Sequence, residues 1–108
     1  SAEELHAKYP PQRHPVVRTH PETGRRSIYV NTGFTSHIEG LSRKESDWLL
    51  EHLYSQAARP EYQCRFVWRP NSIAFWDNRA SQHYAASDYF PQVRVMERAS
   101  IIGPRPVR

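Results

Sequence analysis

A chain of 108 residues with a net charge of +4 is long enough for one small domain and no more. An apolar fraction of 38% and nine prolines imply a small core and much loop, yet three Trp, six Tyr and four Phe exclude a solvated tail. The one cysteine, Cys64, excludes an intrachain disulfide and a cysteine-rich zinc site, and it fits a reducing, cytoplasmic setting.

In chain order, residues 1–13 are polar and read as a loop or short helix ended by Pro10-Pro11. His14-Pro-Val-Val-Arg-Thr19 is a short extended run, and Ser27-Ile-Tyr-Val-Asn31 is its returning strand. Between them Pro21-Glu-Thr-Gly24 has turn chemistry, because Gly24 is free to take positive φ, so the two runs predict a hairpin. Ser42-Arg-Lys-Glu45 has the pattern of a capping box, and Trp48, Leu49, His52 and Leu53 follow at helical spacing. A helix is therefore predicted from Arg43 to Ala57, stopped before Pro60.

Residues 61–69 alternate, with Tyr62, Cys64, Phe66 and Trp68 on one face, which predicts a half-buried strand and a buried Cys64 thiol. A turn at Arg69-Pro-Asn-Ser72 leads to a second strand, Ile73-Ala-Phe-Trp-Asp77. Residues 78–91 read as loop, and Val93 to Ile102 as a third strand broken by Gly103-Pro104. The absence of βαβ alternation argues against a doubly wound sheet. The order predicts a mainly β fold with one or two helices, of the sandwich or jelly-roll kind. The strands are too few to close such a fold alone.

The third strand carries the most informative spacing. Arg94 and Arg98 are four apart and face the same way, roughly 13 Å apart at strand rise, with Met96 between them. Two guanidiniums so placed suit two separate anions, or equally two surface ion pairs. His83 follows an apolar strand, where a histidine is either an ordinary loop residue or a metal ligand. A non-haem iron site needs two His and a carboxylate, and the chain has His20-Pro-Glu22 and His37-Ile-Glu39. The first falls in the predicted turn and the second in a loop before the helix cap, so neither pattern is favoured as a ligand pair. No Gly-rich phosphate loop and no Gly-x-Ser-x-Gly elbow occurs. The scattered arginines form no basic run, so no nucleic-acid partner is expected. No stretch approaches the length of a membrane span and no signal peptide is visible, so no membrane partner is expected either.

Five segments together resemble the C-terminal part of the Fe(II)- and 2-oxoglutarate-dependent dioxygenases of the taurine dioxygenase family. They are His14-Pro-Val-Val-Arg-Thr-His20, Val30-Asn-Thr-Gly-Phe34, Trp76-Asp-Asn-Arg-Ala-Ser-Gln-His-Tyr-Ala85, Asp88-Tyr-Phe-Pro-Gln92 and Arg94-Val-Met-Glu-Arg98. The resemblance implies the C-terminal part of a double-stranded β-helix, a cupin-like jelly roll. It implies that His83 is an iron ligand, that Arg94 pairs with the far carboxylate of 2-oxoglutarate, that Arg98 binds the sulfonate of taurine, and that Phe34 lines the substrate pocket. The implied cofactors are Fe(II), 2-oxoglutarate as co-substrate and O2. The implied reaction hydroxylates taurine and releases sulfite and aminoacetaldehyde, with succinate and CO2 from 2-oxoglutarate.

The family's His-x-Asp pair does not occur in these 108 residues. They are therefore expected to be the C-terminal portion of one dioxygenase domain, completed by an upstream portion and inactive alone. A homo-oligomer is also expected. Alkyl-sulfate and aryloxyacetate dioxygenases share the implied chemistry, and a non-catalytic β-rich anion-binding or interaction module is the alternative of a different class.

Overall fold

The computed structural model describes residues 1–108, apart from the side chains of Ala2 and His6. It divides into two compact units, Ser1–Tyr29 with Pro106–Arg108, and Val30–Arg105.

The first unit opens with helix α1, Ala2–Lys8. Ser1 and Glu4 form a capping box, in which the Glu4 N–H donates to the Ser1 hydroxyl at 3.2 Å. Strand β1, Val17–Thr19, then pairs antiparallel with β2, Arg26–Ile28, in the register Val17↔Ile28, Arg18↔Ser27 and Thr19↔Arg26. The predicted hairpin is therefore present, although its second strand begins one residue earlier and ends sooner than Ser27 to Asn31 suggests. The turn is closed by the Gly24 N–H on the His20 carbonyl at 3.0 Å, with Gly24 at φ 73°. On the outer edge of β1, the Thr19 N–H donates to the Val107 carbonyl at 2.8 Å.

Arg18 is only 4% exposed. Its guanidinium lies 4.8 Å from the centroid of the Tyr29 ring, which also meets the His14 ring edge-on at 5.7 Å. A stack of this kind gives a buried cation part of the stabilisation it loses with water.

The second unit is organised around helix α2, Arg43–Ala57, with the predicted boundaries. The Glu45 N–H donates to the Ser42 hydroxyl at 3.2 Å, and the Ser42 N–H donates to the Glu45 carboxylate at 3.1 Å. Arg43 and Asp47 add an exposed i,i+4 ion pair at 3.2 Å. The buried positions are Ser46 and Leu50, with Leu49 and Leu53 half-buried. Trp48 and His52 instead lie on the open side, Trp48 71% exposed. Ser46 is buried because its hydroxyl accepts the Ile38 N–H at 2.8 Å, which ties the preceding loop to the helix. A short 3-10 turn, Pro60–Tyr62, follows, and the Gln63 side chain donates to the Ala57 carbonyl at 2.8 Å near the end of α2.

The three later strands are not formed. Residues 61–69, 73–77 and 93–102 carry no strand, and Tyr62, Cys64, Phe66 and Trp68 are exposed, so Cys64 is not a core thiol. A strand exists only when a neighbour takes its backbone hydrogen bonds, and these segments pair with no neighbour among the described residues. Local chemistry nevertheless persists. The Arg69–Ser72 turn forms, with the Ser72 N–H on the Arg69 carbonyl at 3.0 Å and Asn71 at φ 66°. The described fold is thus two α-helices and one two-stranded antiparallel sheet; the helix count matches the sequence reading, and the predominance of β structure does not. No helix among the described residues is long and apolar enough to cross a membrane.

Candidate functional site

All four candidate residues lie in the second unit, Phe34 and His83 in or beside locally organised loops and Arg94 and Arg98 on an extended segment. Phe34 sits in a loop closed by Asn31. The Asn31 carboxamide oxygen accepts the N–H groups of Gly33 at 3.0 Å and Phe34 at 2.8 Å. The Asn31 N–H in turn donates to the Thr35 hydroxyl at 3.0 Å, and the Thr35 N–H returns to the Asn31 carbonyl at 3.1 Å. Such an Asx turn is built from neighbouring residues. It presents Phe34 outward, 93% exposed.

His83 ends the most densely hydrogen-bonded stretch of the C-terminal half. Asp77 organises it. Its carboxylate accepts the Arg79 backbone N–H at 2.8 Å, Nε at 2.9 Å and Nη2 at 3.1 Å. Its carbonyl accepts the N–H groups of Ala80 and Ser81 and the Ser81 hydroxyl, the last at 2.7 Å. The Trp76 indole N–H donates to the Asn78 carboxamide at 2.8 Å, and the indole ring lies 4.8 Å from the His83 ring, tilted by 48°. His83 is exposed, and neither ring nitrogen has a hydrogen-bond partner among the described residues. Next to it, the Gln82 side-chain amide donates to the Val30 carbonyl at 2.7 Å.

Arg94 and Arg98 lie exposed on the extended segment that follows. The Arg94 guanidinium is 5.7 Å from the centroid of the Tyr89 ring. Arg98 makes no ion pair or hydrogen bond among the described residues. No such bond or ring contact joins any two of Phe34, His83, Arg94 and Arg98, so the structure leaves them as four separate donors and surfaces.

The two His-x-Glu patterns behave as turn chemistry. His20 is buried, and its Nδ1 accepts the N–H groups of Glu22 at 3.1 Å and Thr23 at 3.2 Å. That nitrogen is therefore engaged in the hairpin turn. His37 is exposed with its Nδ1 3.0 Å from the Ser36 hydroxyl. Among the described residues no three His, Cys, Asp or Glu side chains converge as a metal site requires. His83 fits one donor place of a non-haem iron centre, and these residues do not complete the set. An open groove of about 320 Å³ runs along α2, lined by Trp48, Glu51, His52 and Ser55, and none of the candidate residues borders it.

Sequence reasoning missed the partners of the candidates: Trp76 beneath His83, Tyr89 beneath Arg94, the Asp77–Arg79 fork and the Gln82–Val30 bond. An Asp two residues before an Arg at a predicted loop was the one local signal available.

The chain matches the family model described as taurine catabolism dioxygenase TauD, TfdA family, over residues 2–100, a span holding all four candidates. It is 43% identical over 94 residues to a Schizosaccharomyces pombe protein provisionally named an alpha-ketoglutarate-dependent sulfonate dioxygenase, covering 86% of this chain and 24% of that one. It is 40% identical over 90 residues to an alkylsulfatase of Acinetobacter baylyi, covering 83% and 28%. It is 40% identical over 94 residues to an alpha-ketoglutarate-dependent sulfate ester dioxygenase of Pseudomonas putida, covering 87% and 31%. The chain thus spans about a quarter to a third of the length of these curated relatives. With the family model matched across nearly all of its residues, the chain belongs to the taurine catabolism dioxygenase TauD/TfdA family.

Proposed function

We propose that the protein containing this chain is an Fe(II)- and 2-oxoglutarate-dependent dioxygenase acting on a small sulfonate or sulfate ester, with taurine as the specific substrate reading. The observation that carries this is the stretch from Trp76 to Arg98. It holds an organised loop ending in an exposed histidine, followed by two arginines without carboxylate partners among the described residues. The names of the relatives, which point to sulfonates, sulfate esters and alkyl sulfates, support the anionic substrate class.

In this reading the 108 residues are the C-terminal portion of a cupin-like jelly roll. The upstream portion supplies the remaining iron ligands and the strands that pair with residues 61–69, 73–77 and 93–102. His83 would offer one neutral ring nitrogen to the metal. Arg94, held over Tyr89, would take the far carboxylate of 2-oxoglutarate, and Arg98 the sulfonate or sulfate of the substrate, each through charge-assisted hydrogen bonds. Phe34 would form an apolar wall against the substrate's carbon chain. When bound, iron with 2-oxoglutarate and O2 supplies the oxidising power for C–H hydroxylation. The protein's share is placement of the target carbon, because a misplacement of 1 Å is already costly in rate.

The test is product analysis with the complete protein. Sulfite release from taurine that requires Fe(II), 2-oxoglutarate and O2 supports the specific reading. Succinate formation driven by an alkyl sulfate or an aryloxyacetate keeps the class and changes the substrate. An absence of iron binding and of succinate formation with every anion would leave a non-catalytic anion-binding module.

A further inference from the structure

We infer that Gln82 is a positioning residue that clamps the His83 loop to the Phe34 loop, setting the register between the iron ligand and the apolar wall of the pocket. The inference rests on the proposed function for the roles of His83 and Phe34, but its structural part stands on the hydrogen bonds alone.

Two loops of the second unit are each closed from within, Asn31–Thr35 by the Asn31 and Thr35 side chains, and residues 77–81 by Asp77. The Gln82–Val30 bond joins positions 52 apart, at 2.7 Å. Its donor is the residue immediately before His83. Its acceptor is the carbonyl of buried Val30, immediately before the Asn31 turn that carries Phe34. Loss of this bond frees the residue at the base of the Asn31 turn, so the two loops shift against each other and the turn opens more often. Glutamine suits the role because its amide donates to a carbonyl, carries no charge and spans the gap. Glutamate of the same length has only acceptors at neutral pH and would repel that carbonyl.

The experiment uses the complete protein and three variants, Gln82→Met, Gln82→Glu and Phe34→Ala. Gln82→Met keeps length and bulk and removes the donor. In metal-free protein, amide hydrogen exchange at Gly33 and Phe34 should accelerate about fivefold in Gln82→Met, the equivalent of one ordinary amide hydrogen bond. In the iron-loaded protein, KM for the anionic substrate should rise by about the same factor, while KM for 2-oxoglutarate and the iron content stay unchanged. Gln82→Glu should show the larger change in both. Because Gln82 acts through the Phe34 loop, its effect on substrate KM should shrink in the double variant Gln82→Met/Phe34→Ala.

Unchanged exchange at Gly33 and Phe34, or fully additive KM effects, overturns the clamp. Should Gln82→Met fail to fold, the exchange comparison in Gln82→Glu decides in the same way. Accelerated exchange in a protein that turns over no anion upholds the clamp while removing the proposed function.

Discussion

At the scale of single residues, aromatic rings support His83 and Arg94. The His83 ring rests against Trp76, whose indole N–H is fixed by Asn78, and the Arg94 guanidinium rests on Tyr89. His83→Ala is expected to abolish iron-dependent turnover in the complete protein and to lower its iron content, read by metal analysis. Arg94→Ala is expected to raise KM for 2-oxoglutarate about 10- to 100-fold, and Arg98→Ala to raise KM for the anionic substrate by a similar factor, as the loss of one charge-assisted contact implies. Steady-state kinetics with each ligand varied in turn checks this, and swapped effects would reverse the two assignments. The candidates themselves were legible as residue types in a familiar order. Their aromatic supports were not, because whether Trp76 meets His83 depends on the shape of the loop between them, which Asp77 sets through hydrogen bonds that leave no periodic trace.

Helix α2 is the element that the sequence describes best, and the reason is that its signals are local. Ser42 and Glu45 cap it reciprocally within four residues, and Pro60 lies just beyond its end. Ser42→Ala should cost about 1 kcal/mol of stability, measured by denaturant unfolding of the complete protein. Hydrogen bonds from the Ser42 side chain, and then from its backbone N–H, hold the Glu45 carboxyl below its ordinary value of 4.5. A lowered folded value means the cap's contribution is fully present above pH 4.5 and is lost as pH falls through the folded value. The stability difference between the parent and Glu45→Gln should therefore narrow on acidification, and a difference independent of pH would contradict the ionised cap. Strands were less legible. The Arg18–Ser27 hairpin needs only a six-residue turn around Gly24, whereas residues 61–69, 73–77 and 93–102 need partners that no described residue supplies. Alternation records which face a strand would bury, and it says nothing about whether a neighbour exists to pair with it.

Across the whole chain, large apolar side chains stand exposed along the C-terminal half, among them Phe66, Ile73, Phe75, Val93, Val95 and Ile101. Isolated apolar residues are common on surfaces, but this many along three extended segments is what strands lacking their neighbours would show. In the complete protein these segments should be protected from amide exchange as paired strands, and their continued rapid exchange would contradict the jelly-roll reading. The decisive measurement is succinate formation from 2-oxoglutarate by the complete protein, with sulfite followed in parallel. A dioxygenase of the proposed kind forms succinate that requires Fe(II) and O2 and is stimulated by a sulfonate or sulfate ester, with sulfite released when the substrate is taurine. Iron that fails to bind, together with succinate formation that no anionic substrate stimulates, would contradict it.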